Sequence, residues 1–134
     1  MANFSHYPLQ SAIHAALTGN SPLMALISGV YDRPPQGTAY PYVTLGAMTG
    51  VDWSTKTTKG MEYSITLHVW SQQGGRKEVA VIMESLYAVL HQASLSVTGQ
   101  TLVMMRFISS EINEQSDGYT YEGIMKFAAF LESD

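Results

Sequence analysis

The sequence predicts an α+β fold in which a mixed or antiparallel sheet carries one long helix on one face and short helices at the N-terminus. Two adjacent stretches carry this prediction. In residues 62–70, Ile65, Leu67 and Val69 alternate with polar residues, which is the period of a strand with one buried face. From Arg76 onward the apolar residues recur at helical spacing, namely Val79, Ile82, Met83, Leu86, Tyr87 and Leu90. A strand, a glycine turn and an amphipathic helix form the frame of a small α+β domain.

Two short helices are predicted before the sheet. Pro8 suits the first residue of a helix, because its fixed φ and missing N–H cost nothing there. The apolar stripe of this helix is Leu9, Ile13, Ala16 and Leu17. Ser21 is predicted as the N-cap of a second helix that ends at Gly29. Its buried residues are expected to be Leu23, Leu26 and Ile27.

The remaining strands are predicted from alternation and turn signals, at residues 30–31, 41–46, 95–97, 100–108 and 119–131. A hairpin is expected across Thr98 and Gly99, and residues 111–118 are expected to form an acidic loop that turns at Asp117-Gly118. The last strand is apolar on both faces in its C-terminal half, so it should be central in the sheet or covered. Two helices and two long strands thus precede the long helix, and three strands follow it.

Length and composition limit the class of protein. The chain has 134 residues, which predicts a single domain over residues 1–134 with no linker. Cysteine is absent, so no disulfide or thiolate metal site is possible. No apolar run reaches the roughly 20 residues of a membrane span, and the N-terminus lacks a basic region followed by an apolar one. We therefore expect folding in a cytoplasm and no membrane partner.

Charge is scarce in this chain. Charged residues make up 13% of it, against about 25% in typical soluble domains. Interface cores lose charge and gain Tyr, Met and Trp, and this chain has eight Tyr, eight Met and two Trp. The composition therefore favours a surface covered by other subunits, with a weakly charged monomer as the alternative.

The charge is also unevenly distributed. Residues 1–110 hold six basic and five acidic side chains, whereas residues 111–134 hold six acidic side chains and Lys126. The two parts have net charges of +1 and −5, which together give the −4 of the whole chain. A net acidic chain without a basic cluster is not expected to bind DNA or RNA tightly.

No pattern of catalytic residues emerges. The four histidines lie on separate predicted elements without metal-ligand spacing, and no G-x-S-x-G motif is present. We expect no catalytic residue, cofactor or metal. The alternative is an anion site at Gly74-Gly75-Arg76-Lys77, because a glycine turn that opens a helix offers free N–H groups. Gly75 is the expected N-cap there, and a strand-to-helix link needs glycines in any case.

A polar stretch between Ala47 and Gly60 is interpreted as a hairpin arm. It contains Trp53 with Lys56 and Lys59 nearby. An exposed tryptophan on such an arm indicates a contact surface. The alternative is that Trp53 folds back over the core of its own domain.

Several stretches together resemble one family. They are residues 31–37 (YDRPPQG), residues 41–46 (PYVTLG), Asp52-Trp53-Ser54, residues 68–71 (HVWS) with Gly75-Arg76, and Asp117-Gly118 before a closing strand. In order and spacing they look like the tail-completion or tail-terminator proteins of long-tailed phages and gene transfer agents. The resemblance extends from about Leu9 to Leu131.

This resemblance implies a structural subunit of a ring, usually a hexamer, that ends the tail tube at its final length and joins the tail to the head. The implied partners are further copies, the major tail-tube protein, the head connector or stopper protein and the tape-measure protein, with DNA only passing through the lumen. The implied location is the head-tail junction of a virion or phage-like particle that is assembled in the host cytoplasm.

Two sets of site residues follow. The candidate subunit or tail-tube interface is Asp52, Trp53, Lys56, Lys59 and Arg33. The candidate lumen-facing acids are Glu111, Glu114 and Asp117, because an acidic lumen would repel passing DNA. One alternative function is a head-completion or neck ring subunit. The other, of a different class, is a small ligand-binding domain or enzyme with an anion site at residues 74–77.

Overall fold

The computed structural model describes residue 4 and residues 6–133. This part of the chain forms eight elements: α1 (His6–Thr18), α2 (Ser21–Met24), β1 (Val30–Tyr31), β2 (Tyr42–Asp52), β3 (Gly60–Ser71), α3 (Lys77–Leu90), β4 (Gln100–Glu114) and β5 (Tyr121–Ser133).

The five strands form one sheet in the order β1-β2-β3-β5-β4. The four long strands are antiparallel to their neighbours, whereas β1 runs parallel to β2 and pairs with Val43 and Thr44. The sheet is therefore mixed, and the predicted α+β fold class is confirmed. Strand β5 lies between β3 and β4, so its predicted central position is also correct.

The hydrophobic core lies between one face of the sheet and the helices. Helix α3 packs against β3, β4 and β5, and α1 and α2 pack against α3. The buried residues of α3 are Val79, Ile82, Met83, Leu86 and Leu90, as predicted, but Tyr87 is exposed. At Gly123 the helix comes so close that an added Cβ would lie 2.6 Å from Met83 Sδ and 2.7 Å from Val79 Cγ1. Glycine in the middle of β5 thus lets the helix layer approach the sheet.

Several predicted boundaries were wrong. Strand β2 continues past Gly46 to Asp52, with a bulge between Leu45 and Met48. Residues 95–97 form no strand, and the hairpin across Thr98-Gly99 is absent. Buried Val97 instead anchors the connection that leads into β4. Three alternating residues match a strand period, but they form a strand only if a partner lies beside them.

The predicted acidic loop was wrong over most of its length. Strand β4 continues through Glu111 to Glu114, and only the turn at Asp117-Gly118 is confirmed. Polar residues are tolerated there because β4 is an edge strand with one side open to solvent.

Helix starts also differ from the predictions. Helix α1 begins at His6, two residues before Pro8. The N-cap of α2 is Asn20, whose Oδ1 accepts a hydrogen bond from Leu23 N at 2.9 Å. The N-cap of α3 is Arg76, not Gly75, and it makes no side-chain cap bond. Leu26 was expected to be buried but lies beyond α2 with 37% of its surface exposed.

The close approach at Gly123 gives a first prediction. Replacing Gly123 by Ala forces the new methyl group into Met83 and Val79, and overpacking of this kind destabilises a core by about 1–3 kcal/mol. Urea unfolding followed by circular dichroism measures the loss. Gly75→Ala is the matched control, because nothing lies within 4 Å of the added atom. Equal stability of the two variants would show that α3 does not pack this tightly on β5.

Candidate interaction surfaces

The turn between β2 and β3, residues 53–59, is an ordered arm at one end of the sheet. Trp53 N donates to Gly60 O at 2.8 Å, and Thr55 N donates to Thr58 O at 2.8 Å. Ser133 N donates to Lys59 O at 2.9 Å, which ties the arm to the end of β5. The arm therefore has a fixed shape.

Four of the five predicted interface residues lie on or beside this arm. Asp52 ends β2 and its Oδ1 accepts a hydrogen bond from Ser54 Oγ at 2.7 Å, while Lys56 and Lys59 are exposed. Arg33 is not brought to them, because it lies in the connection between β1 and the start of β2. Tyr31 pairs with Thr44, and Arg33 follows two residues later, so Arg33 lies well before the arm that begins at Trp53.

Trp53 is partly folded back over its own domain and partly exposed, so its position combines the two alternatives expected from the sequence. Its ring lies 5.1 Å from the ring of Phe130 in an edge-to-face arrangement, on the side of the sheet away from the helices. The close approach needs Gly60, where an added Cβ would lie 3.0 Å from Trp53 Cε3. Trp53 still has 39% of its surface exposed. It thus covers part of its own sheet and leaves the rest of its surface exposed.

The sheet face away from the helices, here called the open face, has no layer over it among the described residues. Its side chains alternate with the buried ones along each strand. Exposed Ser64 and Lys126 lie in its middle, with half-buried Thr66 and Ile124 beside them. An uncovered antiparallel sheet of this size is a surface on which a second molecule can pack.

One end of the open face is held by side-chain hydrogen bonds. His68 Nδ1 lies 2.7 Å from Glu122 Oε2, and Gln115 Nε2 donates to the other oxygen of Glu122 at 3.4 Å. Trp70 Nε1 donates to Thr44 Oγ1 at 3.2 Å. Sequence reasoning missed these groups. The alternation in β3 showed that His68 and Trp70 share a face, but it could not show that Glu122 lies on the neighbouring strand.

Aromatic side chains cluster where the connection from β1 enters β2. The rings of Tyr40 and Tyr42 lie 5.0 Å apart, and those of Tyr31 and Tyr42 lie 6.0 Å apart. Burial raises the pKa of Tyr42 to about 12, and a side-chain hydrogen bond with Tyr40 adds to the effect. The raised pKa extends the neutral form of the Tyr42 phenol further into the alkaline range.

Among its described residues, the open face is acidic. It carries Glu62, Glu111, Glu122 and Glu132, opposed by Arg106 and Lys126, with His68 paired to Glu122. Glu111 is the only member of the predicted lumen-facing set that lies on this face. Glu114 lies three residues further along, so its side chain is on the opposite side of β4.

Asp117 has a structural role in the turn between β4 and β5. Its carboxylate accepts hydrogen bonds from the hydroxyl and backbone N–H of Thr120 and from Tyr119 N. These bonds, with that of the Thr120 hydroxyl the largest cause, lower the pKa of Asp117 below its usual 3.8. The carboxylate thus caps the turn and is less available to a partner.

The turn predicted as an alternative anion site is occupied by its own side chains. The Arg76 guanidinium lies over the Tyr121 ring at 5.4 Å. Ser71 Oγ donates to Glu78 Oε1 at 2.6 Å, so a carboxylate already lies in the first turn of α3. This arrangement favours a structural role for residues 74–77.

Within the described residues, His, Asp and Glu side chains form no group of three or more that suits a metal ion. No helix among the described residues has the length and apolarity that crossing a bilayer requires.

Comparisons with known proteins agree with the fold. Residues 11–132 match the family described as tail completion protein gp17. The chain belongs to this family. It is 30% identical over 120 residues to the tail completion protein gp17 of Bacillus phage SPP1, an alignment that covers 88% of this chain and 87% of that protein. The resemblance inferred from the sequence is therefore confirmed, and these relatives are structural proteins.

Two solved structures share the architecture. A chain in the virion of a native gene transfer agent particle superposes with a TM-score of 0.86 at 26% identity, covering 93% of this chain and 95% of that chain. The structure of bacteriophage SPP1 gp17 superposes with a TM-score of 0.65 at 28% identity, covering 90% of this chain and 86% of that chain. Both likenesses extend over nearly the whole chain.

The bonds of Asp117 give a prediction about pH. Because its pKa is lowered in the folded state, its contribution to stability is present above the unfolded value and is lost as pH falls through the folded value. Asp117→Ala should lower the free energy of unfolding at pH 7, and the deficit should shrink once pH falls below 3.8. Urea titrations of both proteins at several pH values measure it. A deficit that does not change with pH would show that the charge of Asp117 does not stabilise the turn.

Proposed function

We propose that this chain is a structural subunit of a ring that terminates the tail tube at its final length and joins the tail to the head connector of a phage-like particle. The observation that carries the proposal is the near-complete likeness to a chain in a gene transfer agent virion. The family and the SPP1 relative support the same role. The tail completion described for those relatives is here extended to this chain.

The proposed assembly is a hexamer at the head-tail junction, assembled in the host cytoplasm. Its partners are further copies, the major tail-tube protein, the head connector or stopper protein and the tape-measure protein. Low charge supports this role, because faces with few charges lose little hydration energy when they are covered. The aromatic cluster of Tyr31, Tyr40 and Tyr42 offers such a surface.

The arm is proposed as the contact with the tail tube or with a neighbouring subunit. Trp53 supplies exposed aromatic surface at its base, and Lys56 and Lys59 supply positive charge beside it. Tryptophan is prominent among residues that dominate binding energy, and exposed charges steer association. Because Arg33 lies at the other end of β2, we assign it to a separate contact.

We propose that the open face borders the channel of the ring. Its four glutamates outnumber its arginine and lysine, so six copies would give an acidic wall that repels passing DNA. Glu111 is the best placed of the three acids inferred from the sequence. Glu114 and Asp117 lie at the rim, near the turn between β4 and β5.

Deleting the gene tests the proposed role. Without a terminator, tube subunits continue to add, so overlong tails that lack heads are expected. Electron microscopy of the particles measures tail length and attachment. Tails of normal length without heads would instead support the alternative role in a head-completion or neck ring. Tails that are normal in length and joined to heads would contradict both roles.

Charge reversal tests the arm. Lys56→Glu together with Lys59→Glu reverses the charge of the arm and is expected to weaken its docking. The yield of joined particles should fall about tenfold or more, which corresponds to a loss of about 1.4 kcal/mol in docking free energy. Lys77→Glu, an exposed lysine on α3 at the other end of β3, is the matched control. The purified variants should unfold at the same urea concentration as the wild type. Unchanged particle yield with the arm variant would remove the arm from the docking surface.

A further inference from the structure

Each of the two edges of the sheet is covered over part of its length and free over the rest. On one side, β1 covers only Val43 and Thr44, which leaves residues 45–52 of β2 without an outer strand. On the other side, the chain after α3 binds the edge of β4 at two points. Gln92 N donates to Met105 O at 2.7 Å, and Phe107 N donates to His91 Nδ1 at 3.1 Å. Residues 108–114 of β4 have no such cover in the described part of the chain.

These two free stretches are open to pairing. Residues 45–52 number eight and residues 108–114 number seven, and neither stretch contains proline or lysine, which often protect an edge strand. Each stretch has a bulge at its start, after which Met48–Asp52 and Ser109–Glu114 run in regular register. Each includes an exposed apolar side chain, since Ile108 is 46% and Val51 57% exposed. An edge of this kind is a template for a further strand.

The number of antiparallel strands determines which strand of a second copy can pair with the free edge of β4. Strands β2, β3, β5 and β4 alternate in direction, and because there are four of them, β2 and β4 run in opposite directions. A second copy placed beside the first in the same orientation therefore presents its β2 antiparallel to β4. The helices of both copies then lie on the same side of a continuous sheet.

We propose that residues 108–114 of one subunit pair with residues 45–52 of the next copy as antiparallel strands, so that the sheet continues from subunit to subunit. This inference rests on the proposed ring and identifies its subunit contact. A contact between two different surfaces is head-to-tail, and a series of such contacts closes into a ring when the rotation from one copy to the next divides a full turn evenly.

The side chains of the two stretches are compatible in this alignment. With Ser109 opposite the neighbour's Val51, Glu111 lies opposite the neighbour's Thr49, and all four residues are on the open faces of their own subunits. Glu111 therefore meets no like charge across the contact.

Charge disfavours a two-fold pair of β4 strands. A two-fold pairing of the free stretch would centre on Glu111 and set it against the Glu111 of the second copy, and like charges directly opposite destabilise a sheet. A pairing centred on Ile108 would place the partner strand against Met105 and Phe107, where the His91–Gln92 turn is already bound. The β2 edge is therefore the better partner.

The absence of cysteine makes a direct test simple. Val51 and Ser109 both lie on the open face, so the contact should bring Val51→Cys of one copy close to Ser109→Cys of the next. Particles carrying both substitutions are assembled under reducing conditions and then oxidised. Non-reducing gels should show bands at successive multiples of 14.7 kDa. Particles with either single substitution should show monomer.

A second pair and a control complete the design. Thr49→Cys with Ser109→Cys tests the adjacent register on the same face, in case the first pair lies too far apart or does not assemble. Ser11→Cys on α1 with Ser109→Cys is the control, because Ser11 is exposed on the helical layer and is expected to give no ladder.

The outcomes separate this inference from the proposed function. Dimers with Ser109→Cys alone would show a two-fold β4 contact and would overturn it. Assembled, joined particles that give no ladder with either pair would also overturn it while leaving the tail-end role intact. Tails of normal length and attachment after gene deletion would remove the role itself, whatever the ladder shows.

Discussion

The packing of α3 on β5 at Gly123 is the constraint on which the rest of the structure depends. An added Cβ there would meet Met83 and Val79 at less than 3 Å, so the helix and strand approach as closely as glycine allows. Strand β5 also pairs with β3 on one side and β4 on the other. One strand thus anchors the helical layer and joins the two halves of the sheet. Because α1, α2 and α3 pack on that side, no further layer covers the other face within residues 6–133.

That one-sided arrangement is consistent with a subunit of a larger assembly. The open face is acidic, with Glu122 already paired to His68, and the two lateral edges retain free strand surface. The arm at the end of β2 and β3 has a fixed shape and holds Trp53 over Phe130. The proposed role needs no enclosed cleft and no catalytic group. It needs several faces that dock, and the fold provides them.

The sequence predicted the fold class and the main elements because their signals are local. Alternation in β3 and the apolar stripe of α3 are read from neighbouring residues, and the structure confirms both. Boundaries failed where tertiary context decides. Residues 95–97 alternate without a partner strand, whereas Glu111 to Glu114 continue β4 because an edge tolerates charge.

The candidate site was predictable only in part, for the same reason. The arm residues are close in sequence, so Asp52, Trp53, Lys56 and Lys59 were correctly placed together. Arg33 was grouped with them although it follows β1, whose partners Val43 and Thr44 lie near the start of β2 and away from the arm. The contacts of His68 with Glu122 and of Trp53 with Phe130 depend on the register between strands far apart in sequence. Residue spacing alone does not give that register.

The central claim is that this polypeptide works by docking to copies of itself at the end of a tube. Cryo-electron microscopy of the assembled particle tests it most directly. The account predicts a closed ring of this chain at the head-proximal end of the tail, with the open face toward the channel and the helices outward. An isolated copy with a small molecule bound in a polar cleft, or a position away from the head-tail junction, would contradict it.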